Sequence, residues 1–91
     1  GLYTLAALVD RKLPCVVHLF EKGDRAGVGM PYSTDDNHRW MLANIASIEI
    51  PPICETYLEW IKRRPAESLA KYGVDPASAT DRDFYPRLML G

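Results

Sequence analysis

The amino-acid sequence predicts an α/β fold, in which a helix leads directly into a buried strand and a mostly helical segment follows. Three observations support this prediction. Residues Leu2–Lys12 have apolar side chains at helical spacing. Cys15–Phe20 is a short, almost continuously apolar run, and the chain beyond Pro52 returns to helical patterns broken by prolines. We treat residues 1–91 as a single domain or part of one, because a chain of this length suits no more.

Composition and charge argue against several classes of protein. The chain is 47% hydrophobic and 25% charged, a balance typical of globular rather than disordered proteins. Its net charge is −1 and its Lys and Arg residues are scattered, so we expect no nucleic-acid surface. No apolar run approaches the roughly 18 residues that cross a bilayer, so we expect no membrane association. The two cysteines lie far apart and favour reduced thiols in the cytoplasm.

The first helix and the strand after it have the pattern of the second half of a βαβ unit. The apolar positions of Leu2–Lys12 fall on one helical face, and Pro14 ends the helix. Cys15–Phe20 contains two adjacent valines, and such a run suits a strand buried on both faces of a parallel sheet. One strand does not make a sheet. We therefore expect this strand to pair with a missing remainder of its own chain or with a second copy.

The rest of the chain is predicted to be a loop followed by helices. Gly23–Asn37 is rich in glycine and polar residues and is predicted to be a loop, whereas Trp40–Ile50 remains ambiguous. Three helices are predicted after the two prolines at 51 and 52: Ile53–Arg63, a short helix opened by Pro65 and stopped by Gly73, and Asp83–Leu90. Asp83 is the preferred start of the last helix, because Pro86 then lies in the first turn, where no backbone hydrogen bond is lost.

The relation of Gly1 to Glu21 suggests a nucleotide site. In a dinucleotide-binding βαβ unit, a Gly-rich turn opens a helix whose N-terminus faces the pyrophosphate. The second strand then ends in an acidic residue about 20 residues later, which accepts hydrogen bonds from ribose hydroxyls. Here Gly1 opens the helix and Glu21 follows the predicted strand. The first strand and the earlier glycines are absent, and Gly1 is not Met, so we expect the parent chain to begin further upstream.

A second glycine-containing segment follows directly, Arg25-Ala26-Gly27-Val28-Gly29. Glycines there let the backbone approach a phosphate or a sugar closely. Taken alone, the segment is better explained as an ordinary Gly-rich turn.

Three longer segments resemble a known family. LFEKGDRAGVGMPYS, MLANIASIEIPPICETYLEW and DRDFYPRLMLG are similar to bacterial FAD/NAD(P)-binding proteins of the YdhS type, and the similarity covers essentially the whole chain. The resemblance implies a partial Rossmann-like FAD/NAD(P)-binding domain. It also implies that the chain is the N-terminal FAD-binding part of a flavin-dependent oxidoreductase that uses NAD(P)H as a candidate reductant. The later half of the family, with its second nucleotide-binding region, has no counterpart here.

The resemblance also assigns roles to individual residues. Gly1 matches the last glycine of a GxGxxG-type motif, and Glu21 matches the acid expected to hold the adenosine ribose of FAD. Arg25, Gly27 and Gly29 match the loop that follows this acid in the family. The full set of candidate cofactor-binding residues is Gly1, Glu21, Lys22, Arg25, Gly27, Gly29 and Asn44.

Several alternatives stay open from the sequence. Asn44 is equally suited to a hydrogen bond with the isoalloxazine ring and to capping a backbone turn. Met30 and Tyr32 are candidates for lining a cofactor cleft, although core packing is the favoured interpretation, and Arg87 suits phosphate or solvent equally. No catalytic acid or base can be named, and the Cys and His spacings match no zinc pattern. The alternative function is a nucleotide-binding or protein-interaction module without turnover; a flavin-dependent N-hydroxylating monooxygenase is a further possibility by fold analogy alone.

Overall fold

The computed structural model describes residues 1–90, in which short helical segments are joined by long irregular connections. The α-helices are α1 (Leu2–Asp10), α2 (Gly29–Tyr32), α3 (Tyr57–Arg63) and α4 (Ala66–Ala70). Two 3-10 segments, η1 (Ser47–Glu49) and η2 (Arg87–Met89), complete the helical structure. No helix among the described residues is long and apolar enough to cross a membrane.

Helix α1 confirms the first predicted helix, which ends two residues earlier than expected. The chain leaves the helix at Arg11, and Lys12 then adopts a left-handed backbone conformation with φ of 49° just before Pro14. The predicted apolar face of α1 is not covered, since no residue of the helix is buried. One long-range bond ties it to the rest of the chain: the Tyr3 hydroxyl donates to the Pro51 carbonyl at 2.8 Å.

The prediction of a buried strand at Cys15–Phe20 is wrong for the described chain. These residues form neither strand nor helix, and their side chains lie in the open, with Phe20 93% exposed and Val16 82% exposed. A strand forms only when a neighbour satisfies its backbone N–H and C=O groups. Within residues 1–90, no backbone group of residues 16–20 pairs with another segment. The predicted α/β class is therefore met in its helices and not in its strand.

Helices α3 and α4 confirm the two central helix predictions and carry the core. α3 begins later than Ile53 because Thr56 forms a capping box: its hydroxyl accepts from the Glu59 N–H, and the Glu59 carboxylate accepts from the Thr56 N–H. α4 follows Pro65 and is followed by Gly73, at φ of 68°, as the sequence predicted. The core consists of Ile61, Leu69, Ala79, Tyr85 and Met89, surrounded by Tyr57, Leu58, Trp60, Tyr72 and Val74.

The ambiguous segment before the two prolines pairs with the C-terminal segment. Residues 41–48 run antiparallel to residues 81–87 through four backbone hydrogen bonds of 2.7 to 3.1 Å. The donors and acceptors are Ala43 N–H to Tyr85 O, Ser47 N–H to Asp83 O, Ile48 N–H to Asp81 O, and Arg87 N–H to Met41 O. An isolated antiparallel bridge joins Leu42 and Pro86 at one end of this pairing, between the Met41–Arg87 and Ala43–Tyr85 hydrogen bonds. Two of the three segments that carried the family resemblance are therefore in direct contact.

The predicted helix Asp83–Leu90 is wrong except for its last turn, η2. The Asp83 carboxylate accepts from the N–H of a preceding residue, Thr80, at 2.8 Å. It does not cap a helix that follows. The carbonyls of Asp83 and Tyr85 accept from the 41–48 segment, which an α-helix starting at Asp83 would not allow. Pro86 has ψ of 132°, outside the helical region. Tertiary pairing thus overrides the local capping signal.

Candidate functional site

A cleft lies between the turn after residue 20 and the segment that contains α2. It encloses about 590 Å³. Four of the seven predicted cofactor-binding residues lie along it, namely Glu21, Lys22, Arg25 and Gly29. The remaining lining residues are Gly23, Asp24, Val28, Met30, Ser33, Thr34, Asp35 and Asp36. The segment predicted to be a loop therefore folds into both walls of one cleft.

Glu21 lies on the first wall with its carboxylate in the open. Its Oε1 accepts a hydrogen bond from the Gly23 N–H at 2.9 Å, which closes a tight turn. Its Oε2 has no protein partner within residues 1–90, and neither Lys22 nor Arg25 forms an ion pair with it. Neither cation therefore occupies the Glu21 carboxylate in the described chain. One carboxylate oxygen stays available for a hydroxyl donor.

Charges of both signs line the cleft. The first turn carries two cations, Lys22 and Arg25, and a second acid beside Glu21, namely Asp24. The opposite wall adds Asp35 and Asp36. Lys and Arg suit a phosphate group, since both present several N–H donors to anionic oxygens. Carboxylates suit hydroxyl donors, such as those of a ribose. The cleft thus provides acceptors for a sugar and cations for a phosphate within one short stretch of chain.

The backbone of the loop requires glycine at two of the predicted positions. Gly27 has φ of 93° and Gly29 has φ of 59°, and both values lie in the region that L-residues with a side chain rarely adopt. A Cβ atom at Gly27 would meet nothing within 4 Å. Its requirement for glycine therefore comes from the backbone conformation and not from crowding. Gly27 turns the chain from one wall of the cleft towards the other.

Met30 and Tyr32 differ from the favoured interpretation of core packing. Met30 lines the cleft and is 72% exposed, and no residue of α2 is buried. Arg87 lies half-buried in η2, which packs against α2. Helix α2 therefore contributes an apolar side chain to the cleft on one side and contacts the C-terminal segment on the other.

Asn37 is a residue of this site that the sequence did not single out. It is the first buried residue of the chain, at 9% exposed, and its side-chain amide donates to the carbonyls of Met30 at 3.1 Å and Ser33 at 3.0 Å. The second wall of the cleft is therefore anchored at Asn37. Its position in the polar run STDDN indicates a solvated loop. Nothing local distinguishes it from its neighbours.

Gly1 and Asn44 lie away from this cleft. Gly1 precedes α1, and its carbonyl accepts from the Leu5 N–H at 3.0 Å, so it opens the helix as predicted. Asn44 is exposed between the buried residues Ala43 and Ala46. The described chain does not bring either residue to the cleft, and their predicted contacts with a cofactor stay predictions.

Comparison with known proteins gives one family and one close relative. The sequence matches the family described as FAD-NAD(P)-binding over residues 1–91. It is 52% identical over 91 residues to the "Uncharacterized protein YdhS" of Escherichia coli strain K12. That alignment covers 100% of this chain and 17% of the relative. No solved structure matches the chain. The resemblance seen in the sequence is confirmed.

Proposed function

The chain belongs to the FAD-NAD(P)-binding family, and on that premise we propose that it forms the FAD-binding part of a flavin-dependent oxidoreductase. Family membership supports a dinucleotide cofactor and a Rossmann-like fold for the complete domain, without choosing between a flavin and a nicotinamide. The choice of FAD is our proposal. It follows from the resemblance of the Glu21 and Gly27–Gly29 segments to the adenosine-binding loop of FAD proteins.

The cleft beside Glu21 is the observation that supports this proposal. In our assignment the Glu21 carboxylate accepts hydrogen bonds from the ribose hydroxyls of the adenosine half of FAD. Lys22 and Arg25 lie within the same cleft and supply cationic donors to the phosphates. The left-handed glycine at position 27 provides the turn between the two walls, a conformation that a residue with a side chain rarely adopts. The cleft therefore offers carboxylate acceptors to the sugar hydroxyls and two cations to the phosphates.

The redox chemistry belongs to the parent protein as a whole. A bound flavin would supply electron transfer, with NAD(P)H as the proposed reductant, while the protein binds and orients it. This chain spans 17% of the length of the relative it matches. We propose that the remainder of its own parent protein is its first partner. We propose a cytoplasmic location for the parent protein, and we assign no residue of this chain a catalytic acid or base role.

A second candidate function is a nucleotide-binding or protein-interaction module without turnover. The exposed apolar run at Cys15–Phe20 favours it, because unpaired apolar segments of this kind recruit other chains. Both functions allow a nucleotide in the cleft. They differ in whether the bound group accepts electrons.

The absorbance of the purified full-length protein separates these functions. We expect a yellow protein with flavin absorbance bands, which bleach when NADH or NADPH is added under nitrogen. The control is the same protein without a reductant, which should keep its colour. A colourless protein that does not bind added FAD would contradict the flavin assignment. A protein that binds FAD without bleaching would support the module without turnover.

A further inference from the structure

The second wall of the cleft has little intrinsic stability. It runs from Gly29 to Asp36 and contains only the four-residue helix α2, none of whose residues is buried. Helices this short are marginal in water, because nucleation costs more than a few hydrogen bonds return. No residue from Gly1 to Asp36 is buried. The wall therefore depends on what holds its C-terminal end.

Asn37 holds that end with both hydrogens of one side-chain amide. Nδ2 donates to the Met30 carbonyl, inside α2, and to the Ser33 carbonyl, just beyond it. The Asp35 N–H in turn donates to the Ser33 hydroxyl at 3.1 Å, so the turn is fixed on both sides of Ser33. Helix α2 also packs against η2, which belongs to the region that contains the core. Asn37 thus lies where the wall joins the packed part of the chain.

We propose that Asn37 is a positioning residue that sets the width of the cofactor cleft and thereby its affinity for FAD. This inference rests on the proposed function. Asn37 does not line the cleft and acts through the wall from Gly29 to Asp36. Without its two hydrogen bonds, the wall would detach from its anchor while the core around Ile61 stays packed. A bound dinucleotide would then have to order the wall as it binds, which weakens its affinity.

The substitution Asn37→Asp tests this role because it keeps the shape and replaces the donor nitrogen with oxygen. At pH 8 the ionised carboxylate would face two carbonyl oxygens and repel both. Burial and the two facing carbonyl oxygens both raise the pKa of this carboxyl above its ordinary value, so a larger fraction of it is protonated at pH 5.5 than at pH 8. The protonated form donates one hydrogen bond and restores part of the anchor.

Affinity for FAD is measured in the full-length protein by the change in flavin fluorescence. We expect Asn37→Asp to bind FAD about tenfold more weakly than the wild type at pH 8 and within about threefold of it at pH 5.5. The variant is compared with the wild type at each pH, which cancels the titration of groups that both proteins share. On the chain around Asn37 these are Asp35, Asp36 and His38; facing them are Glu21, Lys22, Asp24 and Arg25 across the cleft and Arg87 on η2.

The control and a second variant separate positioning from general destabilisation. Ser78→Ala removes a side chain that donates within a turn to Asp75, far along the chain from the cleft, and should leave FAD affinity unchanged. Asn37→Ala removes the donor without adding charge. It should weaken FAD binding by a similar factor at both pH values, with an unchanged thermal midpoint of the apoprotein. If Asn37→Asp does not fold, Asn37→Ala and hydrogen exchange of the amides at 29–36 carry the test.

The outcomes distinguish this inference from the proposed function. Wild-type affinity in Asn37→Ala, or a loss in Asn37→Asp that does not recover at pH 5.5, overturns the positioning role. If Glu21→Ala weakens FAD binding in the same experiment, the proposed function stands alone. If the wild-type protein binds no FAD, the proposed function fails and the positioning role fails with it.

Discussion

The N-terminal region, residues 1–36, and the C-terminal region, residues 41–90, are built on different principles. No residue of the N-terminal region is buried, although it contains the most apolar run of the chain. The C-terminal region has a core in which Ile61 is 0% exposed and Leu69 is 2% exposed. It also closes on itself through the backbone pairing of 41–48 with 81–87. The C-terminal region buries apolar side chains against one another, whereas the N-terminal region leaves its apolar side chains exposed.

Stability and ligand binding therefore reside in different regions of the chain. The candidate cleft is made of residues from the N-terminal region alone, Glu21 to Asp36. Its connection to the packed region passes through Asn37 and through the contact between α2 and η2. Substitutions in the core should therefore change the free energy of unfolding, and substitutions in the cleft should change affinity for a nucleotide.

The largest expected effect is on the oligomeric state of the isolated 91-residue chain. We expect this chain to self-associate through its Cys15–Phe20 run, because exposed apolar residues with unpaired backbone recruit further strands. The double substitution Val16→Ser, Phe20→Ser should shift it towards monomer in sedimentation velocity. Ile48→Ser, at a residue 64% exposed in the C-terminal region, is the matched control and should not. A monomeric wild-type chain that melts cooperatively would show that the N-terminal region needs no partner.

The second prediction concerns the core. Ile61→Ala should lower the free energy of unfolding by roughly 2–5 kcal/mol, because it deletes a fully buried side chain and leaves a cavity. Ile48→Ala removes the same atoms from an exposed site and should cost less than about 0.5 kcal/mol. Chemical denaturation of the full-length protein, followed by circular dichroism, gives both values. Equal effects of the two substitutions would mean that the C-terminal region is not packed as described.

The third prediction concerns Glu21. Glu21→Ala should weaken FAD binding by roughly 1.5–3 kcal/mol, since a bond to a charged carboxylate is worth about that much. Glu21→Gln keeps an acceptor oxygen and loses the charge, so a weakening of about tenfold is expected. Neither substitution should alter the thermal midpoint of the apoprotein, because the Glu21 side chain is exposed and bonds only to the nearby Gly23 N–H. Wild-type affinity in a folded Glu21→Ala protein would remove the ribose role.

Sequence reasoning succeeded where local signals decide the structure. Helices α1, α3 and α4 follow from apolar spacing and prolines, which act within a few residues. The predicted start of α3 at Ile53 is wrong, because the Thr56–Glu59 capping box starts the helix at Tyr57. The clustering of Glu21, Lys22 and Arg25 along one cleft was also predictable, because these residues lie within one short turn. Their neighbourhood is fixed by the chain itself.

It failed where a distant partner decides. Cys15–Phe20 has the composition of a strand, yet strand formation needs a neighbour that residues 1–90 do not provide. Asp83 is a residue type that commonly caps helices, yet its carbonyl and that of Tyr85 accept hydrogen bonds from the 41–48 segment. Asn37 escaped attention because its burial exists only after the loop folds back onto it. The spacing of residues along the chain predicts none of these three outcomes.

The smallest expected effect is the acid dependence of the turn at Asp83, which lies at the start of the 81–87 segment. The Asp83 carboxylate accepts from the Thr80 N–H at 2.8 Å and from the Tyr85 hydroxyl at 3.3 Å. Its bonds to Thr80, with a smaller contribution from Tyr85, hold the pKa of Asp83 below its ordinary value of 3.8. The folded state therefore favours the ionised carboxylate more than the unfolded state does.

The sign of the pH dependence follows from that lowered pKa. Stabilisation by Asp83 is fully present above pH 3.8, and it is lost as the pH falls through the pKa of the folded state. The thermal midpoint of the wild-type protein should drop between pH 5 and pH 2.5, and Asp83→Asn should drop less because it carries no titrating group there. Asp81→Asn is the matched control, because the Asp81 carboxylate has no hydrogen-bond partner within residues 1–90. The Asp81 backbone carbonyl, which accepts from the Ile48 N–H and the Ser47 hydroxyl, is unchanged by the substitution. Asp81→Asn should keep the wild-type acid dependence.

If both substitutions flatten the pH dependence of the thermal midpoint equally, general charge repulsion rather than the Thr80–Asp83 turn governs acid stability. If only Asp83→Asn does, the turn that positions the 81–87 segment is the acid-sensitive point of the packed region.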